Sequence, residues 1–237
     1  MIIHTNLHTN SMESVVKELH YETVLPILRE VLTRLSAKGE LSEFRLVGGT
    51  NLSLRFGHRM SDDIDYFTPQ EYGTADFDSI NKMLRDEFDY MDGGGMNVGF
   101  GNTYYVGNTS EDGHKVKLDL MYTDPFLNEA EVYDGVQFAS VEDIIAMKLN
   151  AITDGDGRKK DFLDIHFLLG KYSLKDMLDL HERRQPWEHE RSRLLKDLNN
   201  FSKADKDPNP RCLLGKEWQQ IKLDLIDEVF TLLEDCK

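Results

Sequence analysis

Apolar residues recur at helical spacing from residue 13 to 37. Val15, Val16, Leu19, Val24, Leu25, Leu28, Leu32 and Leu35 fall on one broad stripe before Lys38-Gly39 ends it. The period then shortens. Residues 43–47 read as a short strand, Gly48-Gly49-Thr50 as a sharp turn into a short helix over 50–56, and residues 63–67 as a second strand stopped by Pro69. Residues 76–90 look helical, and Gly93-Gly94-Gly95 turns into a strand near 97–106. Residues 115–122 alternate cleanly: Val116, Leu118, Leu120 and Tyr122 share a core face, and Lys115, Lys117 and Asp119 share the other. From 140 onward the pattern is helical, over 141–152, 159–170, 174–184, 188–199 and 215–235. An α/β front half, 1–139, is therefore expected to precede an all-helical back half, 140–237.

Composition adds a class. The 237 residues are 40% hydrophobic and 30% charged, which is globular, and long enough to bury a core without staples. Two cysteines, Cys212 and Cys236, exclude a disulfide scaffold and a cysteine-rich zinc module. No secretory pattern opens the sequence, and no apolar run approaches the roughly 20 residues of a membrane helix, so a soluble cytoplasmic protein is expected. The net charge of −15 argues against nonspecific coating of DNA. Residues 171–216 run the other way, with eleven Lys+Arg against eight Asp+Glu. That segment reads first as a solvated helix surface. If an RNA backbone is bound, Arg183, Arg184, Arg191 and Arg193 are its natural place.

The chemistry concentrates around the glycine turn. A strand ending in Gly48-Gly49 lets the backbone approach a phosphate with no Cβ in the way, and the following helix offers free N–H groups to an anion. Asp63 and Asp65 point to one strand face and make a hard, oxygen-rich site suited to Mg²⁺. A third carboxylate, for which Asp119 is the candidate, would complete a two-metal site for phosphoryl transfer. Gly-Gly alone marks any turn, and Asp-x-Asp alone commonly solvates a loop. The fixed order of strand, Gly-Gly-Thr, short helix and strand with Asp-Ile-Asp is far more specific.

These residues, with His58-Arg59-Met60-Ser61-Asp62 before Asp63-Ile64-Asp65, resemble the DNA polymerase β-type nucleotidyltransferases. They are most similar to the AbiEii/AbiGii toxin branch, whose first motif reads Gly-Gly-Ser/Thr and then Arg-x-Ser-x-Asp-Ile-Asp. The resemblance covers residues 44–170. It implies an α+β fold, a polymerase β-like core of small mixed sheet and flanking helices, with a C-terminal helical bundle completing the nucleotide cleft. It implies that Asp63, Asp65 and Asp119 hold Mg²⁺ or Mn²⁺, and that Gly48, Gly49 and Thr50, with Arg59 and Ser61, bind the nucleotide.

Two later helices carry anomalies of their own. On 141–152, Lys148 lies about 40° from Ile144 and so inside the apolar stripe, where an ammonium needs a partner anion or must snorkel to water. On 159–170, Asp161 is centred between Ile165 and Leu168, about 40° to one side and about 20° to the other. Lys148-Leu149-Asn150-Ala151 and Arg158-x-x-Asp161-x-x-Asp164 are similar to later motifs of the branch, in which the lysine serves the nucleotide phosphates. Asp161 can orient Lys148, act as a base or serve as a structural acceptor, of which the ion pair with Lys148 is favoured, and Asp164, at the stripe's edge, reads as a cap-like or structural carboxylate.

The resemblance thus implies transfer of an NMP from an NTP to an acceptor hydroxyl by a toxin of a toxin–antitoxin or phage-defence pair. Relatives modify tRNA ends or proteins, and a cognate antitoxin is an expected partner. A small-molecule, antibiotic-type transferase and a non-catalytic nucleotide-binding relative are the alternatives. Other signals fall away. Residues 154–165 lack the ligands of a calcium loop, and the histidines show no metal spacing. Gly93-Gly94-Gly95 reads as a hairpin turn, Trp187 and Trp218 as core, and Ser61 as a hydrogen-bonder to the turn or a site of self-modification.

Overall fold

A computed structural model describes residues 18–95, 99–108 and 115–234. The expected residues 13–17, 97–98 and 235 of three elements lie outside them. The chain is α+β. Seven strands form one mixed sheet in the order β3-β4-β5-β2-β1-β7-β6. They are β1 (Arg45–Leu46), β2 (Asp63–Thr68), β3 (Tyr90–Gly93), β4 (Gly101–Gly107), β5 (Lys115–Tyr122), β6 (Glu131–Tyr133) and β7 (Val136–Phe138). The pairs β2–β5 and β1–β7 are parallel and the rest antiparallel.

One sheet face packs on α1 (Pro26–Ser36) and α3 (Phe77–Glu87), burying Leu28, Leu32, Leu46, Ile64, Leu118 and Phe138. The expected helix over 13–37 does not hold over 18–25. Those residues make a 3-10 turn at Tyr21–Thr23 and a bridge from Val24 to Ser61. The α-helix starts at Pro26, whose fixed φ and missing N–H suit a first helical position. The 18–25 stretch still buries Leu19 and Val24, so burial alone mimicked a helical stripe.

The other face meets the later helices: α2 (Gly48–Phe56), α4 (Val141–Ile152), α5 (Lys159–Leu169), α6 (Leu174–Arg184), α7 (Arg191–Leu198) and α8 (Trp218–Glu234). Their shared apolar cluster also takes Val47, Leu52 and Ala139 from the front half. Ser140 caps α4 by accepting from the Asp143 N–H, and Ser173 caps α6. Trp187 is not core. It sits in the α6–α7 turn, 63% exposed, while Trp218 packs on Phe162 and Phe201. Among the described residues no helix is long and apolar enough to cross a membrane.

Candidate active site

The site is built where β1 feeds α2. The Val47 N–H donates to the Asp65 carbonyl at 2.8 Å, and the chain then enters α2 through Gly48 at φ +68°. A Cβ at Gly48 would stand 2.4 Å from Asp65 Oδ2, and one at Gly49 would stand 1.9 Å from Arg59 Nη2. The two glycines are the floor on which Asp65 and Arg59 lie, and they open the first turn of α2 rather than preceding it. Thr50 Oγ1 bonds the Asp63 carbonyl and lies 2.9 Å from Ser61 Oγ. The carbonyl only accepts, so Thr50 donates there and the Ser61 hydroxyl donates to Thr50. Ser61 is thus held inward as a hydrogen-bonder to the turn.

Period-two alternation puts Asp63, Asp65 and Phe67 on the site face while Ile64 and Tyr66 are buried beneath. On the neighbouring strand Asp119 is the direct partner of Asp65, and Lys117 of Asp63. All three carboxylates line one cavity of about 280 Å³, with Gly48, Gly49, Lys148, Arg158, Lys160 and Asp161 on its walls. Burial, and then the nearby Asp119 and Asp63 charges, raise the Asp65 carboxyl above its ordinary value despite Lys148. The outer two carboxylates have cationic partners: Asp63 is 3.4 Å from Lys160 Nζ, and Asp119 takes Lys117 Nζ and the Thr103 hydroxyl, the latter at 2.7 Å. Among the described residues no three His, Cys, Asp or Glu side chains are grouped so that they could hold a metal ion as they stand. The donor set is nonetheless the right kind for Mg²⁺. It is all oxygen, on adjacent strands, and its mutual repulsion is only partly met by two lysines.

Across the cavity lies a charged cluster that is almost fully buried. Asp164 accepts from Arg59 Nε (2.6 Å) and Nη2 (2.9 Å) and from His58 Nε2 (2.7 Å), and pairs with Lys148 Nζ at 2.8 Å. Lys148 also donates to Asp161 at 2.7 Å. Asp161 in turn accepts from the Arg158 backbone N–H at 3.2 Å and from Arg158 Nε at 3.0 Å, closing the first turn of α5. Burial would raise the Asp161 carboxyl, but Lys148 and Arg158 overcome it and pull it down to about 2. Burial would likewise raise Asp164, and Arg59 and Lys148 hold it well below the carboxylate range. Burial opposes the Lys148 charge too, yet Asp164 and Asp161 keep its ammonium firmly protonated. Three cations thus face two anions, leaving one positive charge on the wall opposite the acidic trio.

Of the residues that the sequence put forward, Gly48, Gly49, Arg59, Ser61, Asp63, Asp65, Asp119, Lys148 and Asp161 line the one cavity, Thr50 reaches it through Ser61, and the arginines of the basic segment do not line it. Lys148 lines the cavity, but its bonds go to Asp161 and Asp164. Arg59 is 2% exposed and spent on Asp164. Arg184, on the basic segment, is buried against Thr123, Asp124 and Asp143, so it is not a surface cation for RNA, and Arg193 pairs with Asp197. Lys160 beside Asp63 and the His58–Asp164 bond were not foreseen. Asp161 and Asp164, three apart on one helix face, carried a signal for the second. A larger cavity of about 530 Å³ adjoins the first, sharing Arg59, Ser61, Arg158 and Lys160, and is lined on one side by residues 207–211. That strap is tied down where the Met60 N–H donates to the Arg211 carbonyl and the Leu213 N–H to the His58 carbonyl, both at 2.9 Å.

Known proteins share this fold. A crystal structure of a proposed nucleotidyltransferase from H. pylori superposes with a TM-score of 0.56 at 21% identity, covering 89% of this chain and 94% of that one. JHP933 from Helicobacter pylori gives 0.55 at 20% identity, covering 88% and 89%. These likenesses concern the fold. An uncharacterized protein of Aquifex aeolicus (strain VF5) is 32% identical over 163 residues, 66% of this chain and 73% of its own length. The family model for the nucleotidyl transferase AbiEii toxin of type IV toxin–antitoxin systems matches residues 30–234. With the glycine floor, the aspartates of β2 and β5 and the buried cluster of α4 and α5 all inside that match, the chain belongs to the AbiEii nucleotidyltransferase toxin family.

Proposed function

We propose that this protein is a Mg²⁺-dependent nucleotidyltransferase that moves an NMP from an NTP to an acceptor hydroxyl, as the toxin of a toxin–antitoxin pair. The observation that carries the reading is one cavity lined together by Asp63, Asp65 and Asp119, by the glycine start of α2 and by the cations Arg158, Lys160 and Lys148. Asp63, Asp65 and Asp119 would hold the metal, whose chemistry is to neutralise charge on the reacting phosphoryl group. The N–H groups of the Gly48–Gly49 turn receive phosphate oxygens. Arg158, 54% exposed in its side chain, and Lys160 supply the cations nearest the opening, while Lys148 adds its field from within. The acceptor hydroxyl gives its proton to one of the three carboxylates, its oxygen bonds the α-phosphorus, and the bond to the departing pyrophosphate breaks. Positioning and charge supply most of the rate.

The direct experiment is incubation of the protein with each α-labelled NTP, Mg²⁺ or Mn²⁺, and total tRNA or cell lysate. Label on RNA or on protein supports transfer and identifies the acceptor. NTP binding without label on any acceptor favours a non-catalytic relative.

A further inference from the structure

The site face of the sheet is only half covered. Among the described residues, none of β3, β4 or β5 joins the apolar cluster of the later helices. Asp92, Tyr105 and Lys115 on these strands are exposed, and the layout of that face follows from the register. Residues directly opposite in a ladder point the same way. One row on this face runs Asp92, Tyr105, Lys117, Asp63. The row on one side of it runs Thr103, Asp119, Asp65, and on the other side Tyr90, Gly107, Lys115. Gly107 leaves a gap, and Lys115 Nζ reaches over it to lie 3.5 Å from the centre of the Tyr90 ring. Tyr105 is 44% exposed, one strand across from Lys117 and diagonal to Asp119, a separation of about 7–8 Å in a regular sheet.

Two tyrosine rings and two lysines thus share a sheet face that ends at the reacting carboxylates. Nothing in nucleotide binding by the glycine turn requires them. Aromatic faces stack any base, and ammonium groups beside them meet backbone phosphates. We propose that this face is the acceptor platform: an unpaired nucleic-acid end lies over β4 and β5, one base stacked on Tyr105, phosphates at Lys115 and Lys117, and its terminal hydroxyl at Asp119. Lys117, which also holds Asp119, screens the acidic trio from the incoming phosphates. Asp92, on the far side of Tyr105, opposes them and directs the strand toward β5. The exposed Tyr105 ring selects single strands over duplex, since only unstacked bases can lie on it. The platform rests on the nucleotidyltransfer reading for its product but not for its binding.

The test is fluorescence anisotropy of a labelled single-stranded RNA of about ten nucleotides, a length typical of such sites, run beside the transfer assay. Tyr105→Ala should weaken binding about tenfold and Tyr105→Phe should largely restore it. Lys115→Gln should lower the slope of log affinity against log salt by about 0.7. Tyr105 is half exposed, so these variants should keep the wild-type urea midpoint. Equal binding by wild type and Tyr105→Ala, equal competition by duplex RNA, or no RNA binding at all would overturn the platform. Label on a protein acceptor with no RNA binding keeps the transferase reading and removes the platform. Tyr105-dependent RNA binding with no transfer to any acceptor does the reverse.

Discussion

Arg59 grips Asp164 with two nitrogens at 2.6 and 2.9 Å, where neither side chain meets solvent. The pair joins the segment before β2 to α5 and sets Arg59 against Gly49. Asp164 keeps Lys148 and His58 when Arg59 is removed but loses two charged hydrogen bonds, so Arg59→Ala should cost about 1.5–3 kcal/mol of stability. Arg59→Lys should lose much of this too, because an ammonium cannot reproduce the two-toothed contact. Urea unfolding of the three proteins measures both.

Gly48 and Gly49 separate effects on the site from effects on the fold. Gly48→Ala adds a positive-φ strain of roughly 1–2 kcal/mol and pushes on Asp65, which lines the cavity. Gly49→Ala pushes on Arg59, which is pinned by Asp164 and cannot swing aside. Both variants should lose NTP binding, and Gly49→Ala should show the larger fall in urea midpoint.

Acid should destabilise the protein in two stages. His181 is fully buried, and burial, then the His189 and Arg184 charges, push its pKa down from 6.5 to about 4. The unfolded chain binds that proton first, so stability falls from about pH 6.5 toward 4. Asp161, held down to about 2 from 3.8, contributes stability that is present above 3.8 and lost as pH falls toward 2. His181→Asn should flatten the first stage, and Asp161→Asn should shrink the second, which Asp164 shares. Urea midpoints measured from pH 7 to 2 distinguish them.

If the family's toxin role holds for this chain, induced expression in a host without a cognate antitoxin should arrest growth. Asp63→Ala, expressed to the same level, should not. Growth curves with matched immunoblots check this, and unimpaired growth under the wild-type protein would remove the toxin role.

What the sequence made legible was what strong periodicity and chemistry mark together. The alternating residues 115–122 and the capped helix 141–152 lie where expected, and Asp63, Asp65 and Asp119 line one cavity. The hairpin β6–β7 was missed because three-residue strands such as Glu131–Tyr133 carry too little alternation to stand out. β3 was absorbed into the helix ending near 90, since Tyr90 and Met91 continue its apolar spacing and only Phe88 breaks the backbone. Lys148 and Asp161 betrayed themselves as charges on apolar stripes. Arg59 did not, because a charge before a strand looks the same whether it meets a phosphate or a buried Asp164 from 105 residues away. Arg184 misled for the same reason.

The central claim is that Asp65, between Asp63 and Asp119, is required for nucleotidyl transfer and not for the fold. The most direct measurement is the rate of α-phosphate label transfer by wild type and Asp65→Asn, with urea midpoints taken in parallel. Asp65→Asn removes one negative charge from a repelling trio, so its midpoint should be unchanged or higher. Its transfer rate should fall at least about 100-fold, the effect of losing several kcal/mol of charge stabilisation. Transfer by folded Asp65→Asn at the wild-type rate would contradict the assignment.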